Sequence, residues 1–313
     1  MFFAPSPPAC ESLGAGSFEP NLKKFEVRGP EQILPMAAAV FLLTTLTRMV
    51  VFEFVLERLA AVACGSDAKL RRKFREAAWR ACIYAAACTF AVSAFVLVEE
   101  QPGWLHDSEL FWKGWPDHEL TPSIQYLYAL YFGFYIHQMM FLFIDTRSSD
   151  FVALVLHHLI TLTICGASWA LSFYRIGAFT MVLHDFSDIF LELAKCFNYT
   201  KDQHPRFSKG ADVAFVVFAV SFFYLRLYIY PTRVLTSAAT EACEHLICFP
   251  SATSPMTIAS PDYISKCVLT RTFMLFLPLL GALQLLQIFW GWKVVGVVAT
   301  VISGRELEDP RDE

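Results

Sequence analysis

The stretch LHHLITLTICGASWALSFYRIGAFTMVLHDFSDIFLELAKCFNY, residues 156–199, is apolar along most of its length. It nevertheless holds His157, His158, His184, Asp185, Asp188, Glu192 and Lys195. Ionisable side chains at membrane depth are costly, so they face a bundle interior or a wet cavity and mark a pathway or a reaction site. The composition of the 313-residue chain fits a membrane setting: 56% of residues are hydrophobic, 30 are Phe and only 17% are charged. An ordinary soluble domain carries roughly 25% charge.

Windows 81–98, 121–144, 151–171 and 273–292 contain no Asp, Glu, Lys or Arg and reach about the 20 apolar residues that a bilayer-spanning helix needs. Three more carry isolated charges: 33–56 with Arg48 and Glu53, 176–197 with the polar stripe, and 211–230 with Arg226. The expected fold is therefore an all-α polytopic membrane protein, a bundle of about seven transmembrane helices with an intramembrane active-site cavity. A large soluble α protein rarely gives several uninterrupted apolar runs of this length.

The loops carry charge asymmetrically. Lys69, Arg71, Arg72, Lys73 and Arg75 follow span 1, and Lys201, Arg206 and Lys209 follow span 5. Glu99, Glu100, Asp107, Glu109, Asp117 and Glu119 follow span 2, opposed only by Lys113. By the positive-inside rule the basic loops are cytosolic, which puts the N-terminus in the lumen and the C-terminus in the cytosol, as an odd span count requires. The expected division is a lumenal tail over 1–31, one transmembrane domain over 32–302 and a short acidic cytosolic tail over 303–313. No cleavable signal peptide is visible in residues 1–8, so span 1 serves as the insertion signal. The nine cysteines show no metal-type CxxC spacing. Cys243, Cys248 and Cys267 fall in the long loop after span 6, where an oxidising lumen permits one disulfide. The sequon Asn198-Tyr199-Thr200 lies on the cytosolic side and is expected to stay unmodified. No phosphate-binding glycine loop, internal repeat or nucleic-acid signature is present.

Residues three and four apart share a helix face. Asp185, Asp188, Glu192 and Lys195 follow steps of three, four and three, and His184 lies one turn before Asp188. Glu192 and Lys195 can neutralise each other as an internal ion pair that supports packing. Neighbours on a helix point about 100° apart, so His157 and His158 line two walls of one cleft rather than one spot. Counting from Asp150 and Asn198, His158 lies roughly 12 Å and Asp188 roughly 15 Å from the cytosolic face at 1.5 Å per residue. Antiparallel neighbours would bring the His pair against Asp185 and Asp188, in a site opening to the cytosol. Such a set permits acid–base or nucleophilic catalysis, a metal site using His184, Asp188 and one of the pair, or a proton relay for transport.

His157-His158, Thr161, Ser168, Arg175-Ile-Gly177, His184-Asp185-Phe-Ser-Asp188, Leu191-Glu192-Leu-Ala-Lys195 and Tyr199 closely resemble the Lag motif of ceramide synthases within the TLC-domain family. The likeness extends to Lys73-Phe74 with Trp79-Arg80, to Arg147-Ser-Ser-Asp150-Phe151, to Arg226 with Pro231 and to 284–290. It covers roughly 73–313. The homeobox-like insertion of many animal members is absent, so no nucleic-acid partner is implied.

The resemblance implies a TLC-type bundle in the endoplasmic reticulum membrane and N-acylation of a long-chain sphingoid base by a fatty acyl-CoA. The acyl-CoA is a co-substrate, and no cofactor or metal is implied. By analogy, His157 accepts the acyl group as an acyl-imidazole, His158 or His184 acts as base, and Asp185 and Asp188 orient an imidazole or hold the ammonium. Arg175 and Arg226 are expected to bind substrate, with Glu192 and Lys195 as structural support. Lys69, Arg71, Arg72, Lys73 and Lys201 offer a basic rim for the CoA phosphates, although the positive-inside rule alone explains those charges. A homodimer or a small regulatory subunit fits the family. Two rivals remain: a non-enzymatic TLC-domain protein for lipid binding or trafficking, and a proton-coupled transporter, which calls for broken helices and related halves.

Overall fold

The structure is a computed structural model that describes residues 28–94, 103, 107–113, 115, 120–241 and 261–303, and over 261–275 the backbone alone. Every regular element among these residues is helical. Seven helices are long: α1 (Leu34–Cys64), α2 (Ala68–Ser93), α3 (Pro122–Leu142), α4 (Phe151–Ala170), α5 (Tyr174–Thr200), α6 (Pro205–Ala239) and α7 (Pro261–Ile302). At 1.5 Å per residue each extends roughly 30 Å or more. Four segments are long and apolar enough to cross a membrane: α1, α4, α6 and Phe276–Val301 of α7. The other three helices carry the polar side chains of the interior. These are Glu76 and Arg80 on α2, Tyr128, Tyr131, Tyr135, His137 and Gln138 on α3, and the ionisable stripe on α5.

Helix α5 is the spine of the bundle. Helices α2 and α6 pack along it, α3 and α4 meet it, α1 packs on α3, and α7 packs on α4 and α6. The α1–α3 approach is close because Gly133 has no side chain; a Cβ there would lie 2.5 Å from the Ala37 carbonyl. Small residues at such crossings let helices approach where lipid supplies no hydrophobic drive. Helices α4 and α5 join through a tight turn in which Ser172 takes the left-handed φ of 59°, a conformation that costs on the order of 1 kcal/mol outside glycine.

Two boundaries differ from the sequence expectation. The basic run 69–75 is the start of α2 rather than a loop. The Asp67 carboxylate accepts from the backbone N–H groups of Lys69 at 2.8 Å and Leu70 at 3.1 Å, which satisfies two donors that a helix start leaves unpaired. The connection expected from residue 231 onward is helical as far as Ala239. Phe223–Leu235 forms a π-helix with Pro231 inside it. Proline breaks an α-helix by removing one i→i−4 bond and crowding the preceding turn; the wider i→i−5 turn, as from Thr236 N–H to the Pro231 carbonyl, accommodates it.

The end of the bundle holding the α4–α5 turn is sealed. A 3-10 turn, Ser108–Phe111, leads into Trp112 and Trp115. Trp115 donates to the Leu171 carbonyl and Trp112 to Ser237 Oγ, each at 2.7 Å, while both rings pack on Phe173. The tails over 1–27 and 304–313, and the proposed disulfide partners Cys243, Cys248 and Cys267, fall outside the residues whose side chains are described.

Candidate active site

The antiparallel α4–α5 pair brings together the side chains that sequence depth placed level. The ring centroids of His157 and His158 lie 5.5 Å apart, and those of His157 and His184 lie 6.4 Å apart. Each imidazole has its own support. His184 Nδ1 donates to the Thr180 carbonyl at 2.7 Å, because a carbonyl can only accept. His158 packs on Tyr135 at 6.0 Å. His157 meets the edge of Trp290 at 5.4 Å, and the Trp290 indole is fixed by donating to Asp150 Oδ2 at 2.9 Å.

The two aspartates are held differently. Tyr135 Oη donates to Asp185 Oδ1 at 2.7 Å, and Asp185 Oδ2 has no hydrogen-bond partner among the described residues. Asp188 pairs with Arg226 at 2.7 Å. The same guanidinium donates to the His184 carbonyl and, at 3.3 Å, to Gln287 Oε1. Its planar fork thereby ties α5, α6 and α7 together at the site, a geometry that a lysine ammonium cannot reproduce. A metal held by His184 and Asp188 would compete with that guanidinium for the carboxylate. Among the described residues no three His, Cys, Asp or Glu side chains form a metal-binding group.

These residues surround a cavity of about 250 Å³. Its deep end is formed by Tyr135, His157, His158, Asp185, Asp188 and Arg226; its other end reaches the α3–α4 loop at Asp145–Ser148. Its lining includes an apolar set, Phe215, Phe218, Phe222, Val294 and Val297, and a charged set, Arg80, Glu192 and Lys195. His184 lies outside this cavity and borders a smaller one behind His157.

Glu192 and Lys195 form the expected ion pair at 2.5 Å, but within a longer chain. Arg80 reaches Glu192 at 3.2 Å and Asp145 at 3.5 Å, and Asp145 pairs with Arg48 of α1 at 2.5 Å. Burial pushes the Asp145 carboxyl above the ordinary carboxylate range, outweighing the opposing pull of Arg48.

Arg175 corrects an expectation. It sits at the far end of α5 and donates to the Leu110 carbonyl at 2.7 Å and the Lys113 carbonyl at 3.3 Å, tying down the tryptophan turn rather than lining the cavity. The basic rim is also redistributed. Of the five cations expected there only Lys73 lines the cavity, joined by Arg147 and Lys293. Arg71 instead pairs with Glu57, and Arg72 with Glu76. Tyr135 went unremarked in the sequence, although Tyr128, Tyr131 and Tyr135 at helical spacing on one span were a readable signal. Asp150 and Trp290 are 140 positions apart, and nothing local announces their contact.

A match to the TLC domain covers residues 73–296. The chain is 32% identical over 270 residues to the Arabidopsis thaliana protein "Ceramide synthase LOH2", spanning 82% of this chain and 83% of that one. With "Ceramide synthase 1 LOH3" of the same plant it shares 31% over 302 residues, 90% of each. With "Ceramide synthase 4" of Bos taurus it shares 31% over 239 residues, spanning 76% of this chain and 53%, about half, of that protein.

Proposed function

This chain belongs to the TLC-domain family, and on that footing we propose that it is a ceramide synthase, transferring a fatty acyl group from acyl-CoA to the amine of a long-chain sphingoid base. The relatives named as ceramide synthases support the reaction class. The observation that carries it to this chain is the convergence of His157, His158, Asp185 and Asp188 at the deep end of one amphipathic cavity.

In this reading His157 is the nucleophile, since it is the imidazole that borders both cavities. Its lone pair adds to the thioester carbonyl carbon, the C–S bond breaks, and the CoA thiolate leaves with the electron pair. The ammonium gives one proton to His158, the resulting amine attacks the acyl carbon, the C–N bond to His157 breaks with its electron pair returning to the imidazole, and the second proton of the nitrogen goes to the CoA thiolate as the amide forms. Splitting the transfer in this way replaces one difficult step by two easier ones. Asp185, with one oxygen anchored by Tyr135, holds the incoming ammonium; Arg226 and Asp188 fix the frame. The acyl tail follows the phenylalanine wall, and Lys73, Arg147 and Lys293 face the CoA phosphates. All seven long helices span the endoplasmic reticulum membrane, with the cavity opening to the cytosol.

Purified protein given acyl-CoA and sphinganine should release CoA and form an amide. His157→Ala should abolish both while expression stays normal. Sphingoid binding without CoA release would instead favour the lipid-binding rival, and full activity in His157→Ala would overturn the site assignment.

A further inference from the structure

The start of α2 meets the α3–α4 loop rung by rung. Arg72, Glu76 and Arg80 follow steps of four, so they share one face of α2, and each takes one of three consecutive loop residues. The Arg72 guanidinium donates to the Ile144 carbonyl at 2.9 Å. Arg80 pairs with Asp145 at 3.5 Å. Glu76 accepts from Thr146 twice, from its backbone N–H at 3.2 Å and from its hydroxyl at 3.1 Å.

The three rungs differ in weight. The Arg72 side chain is 53% exposed, where charged contacts contribute little, and the Arg80–Asp145 contact is long for a hydrogen bond. Glu76 is 3% exposed, and a buried carboxylate is stable only when it is paired and hydrogen-bonded. Thr146 supplies two of its donors and Arg72 Nε, at 3.0 Å, supplies a third. The loop is therefore held chiefly by Glu76.

The next residue is Arg147. Arg48, Arg72 and Arg80 each pair with a carboxylate, whereas Arg147 has no acidic partner among the described residues. Its guanidinium lies over the Phe151 ring at 4.9 Å, and it lines the main cavity together with Glu76 and Thr146. A cation without an acid, at the mouth of a cavity, is open to an anionic ligand.

We propose that Glu76 is a positioning residue for acyl-CoA: by holding Thr146 it fixes Arg147 at the cavity mouth, where the guanidinium meets the CoA phosphates. The inference deepens the acyl-transfer reading above and rests on it. Glu76 has the wrong sign to bind phosphate itself, and its three donors direct that charge to the loop. A cation already held in place loses less freedom on binding than one on a free loop. The clamp should therefore show in the KM for acyl-CoA and not in kcat, as for an interaction that is equal in ground and transition states.

Steady-state kinetics on the full chain with sphinganine tests this, using either acyl-CoA or S-acyl-pantetheine of the same chain length, which keeps the thioester and lacks every phosphate. Glu76→Gln keeps the size and loses the charge. It should raise the KM for acyl-CoA about tenfold, the scale of a hydrogen bond to a charged group, leave kcat nearly unmoved and leave the KM for S-acyl-pantetheine as in wild type. Thr146→Val removes the hydroxyl but not the N–H and should raise the acyl-CoA KM about threefold, with Thr146→Ser restoring it. Arg147→Gln should raise the same KM, and adding Glu76→Gln to it should change little more, because both act through one contact. This cycle decides whether or not the truncated donor turns over, and Thr146→Val replaces Glu76→Gln in it if the latter does not fold. A KM rise equal for both donors, full additivity with Arg147→Gln, or wild-type KM in both Glu76→Gln and Thr146→Val would overturn the clamp. Wild-type protein that transfers no acyl group from acyl-CoA would instead remove the underlying reading.

Discussion

At Gly177 the backbone of α5 lies against the Tyr128 hydroxyl of α3, which hydrogen-bonds Ser168 Oγ at 2.9 Å and the Tyr174 carbonyl at 3.1 Å. A Cβ at Gly177 would overlap that hydroxyl and lie 2.6 Å from Ser168 Oγ. Tyr128 is fully buried and cannot move aside freely. Gly177→Ala should therefore lower stability by about 1–3 kcal/mol, the usual cost of overpacking, read as an earlier thermal transition in detergent. Tyr128→Phe in the same chain should recover part of the loss. At this scale the grouping of the His pair with Asp185 and Asp188, and the Glu192–Lys195 pair, were legible from helical period and depth. Arg175 was misplaced because a charged residue near a polar stripe says nothing about which end of the helix it serves. Arg226 was found, but its engagement with Asp188 depends on the rotation of α6.

That rotation is set by an element no propensity argument supplied. Arg226 lies within the π-helix Phe223–Leu235, and π segments recur at functional sites because each widened turn changes which side chains face inward. Pro231 makes an α-helical continuation unfavourable over the turn that follows Arg226. Pro231→Ala should let the segment tighten and turn Arg226 away from Asp188 and His184. The expected outcome is an activity loss greater than the loss of folded yield, compared by turnover per monodisperse molecule. An unchanged turnover number would mean that packing on α5, not the proline, holds the π register. Sequence alone ended this span at Tyr230 because proline ordinarily does end a helix. Seven long helices were readable because length and hydropathy are summed over many residues, whereas a change of helical register depends on one.

For the whole molecule, the alternation of helix direction gathers three turns at one end: α1–α2, α3–α4 and α5–α6. Lys69, Arg71, Arg72, Arg75, Arg147, Lys201 and Arg206 all lie at that end. The sequon Asn198-Tyr199-Thr200 is there too, inside the last turn of α5 with Tyr199 and Thr200 buried. It should remain unglycosylated, seen as no change in gel mobility after endoglycosidase treatment. A shift would show both that this end faces the lumen and that the last turn of α5 opens.

Helix α1 lies outside the TLC-domain match, which begins at residue 73. The ion chain nevertheless runs from Arg48 on α1 through Asp145 and Arg80 to Glu192 and Lys195 in the cavity wall. The start of that domain match and the reach of the ion chain therefore do not coincide. A fragment cut where the domain match starts would keep every residue proposed for the reaction and still lose the cation that pairs with Asp145.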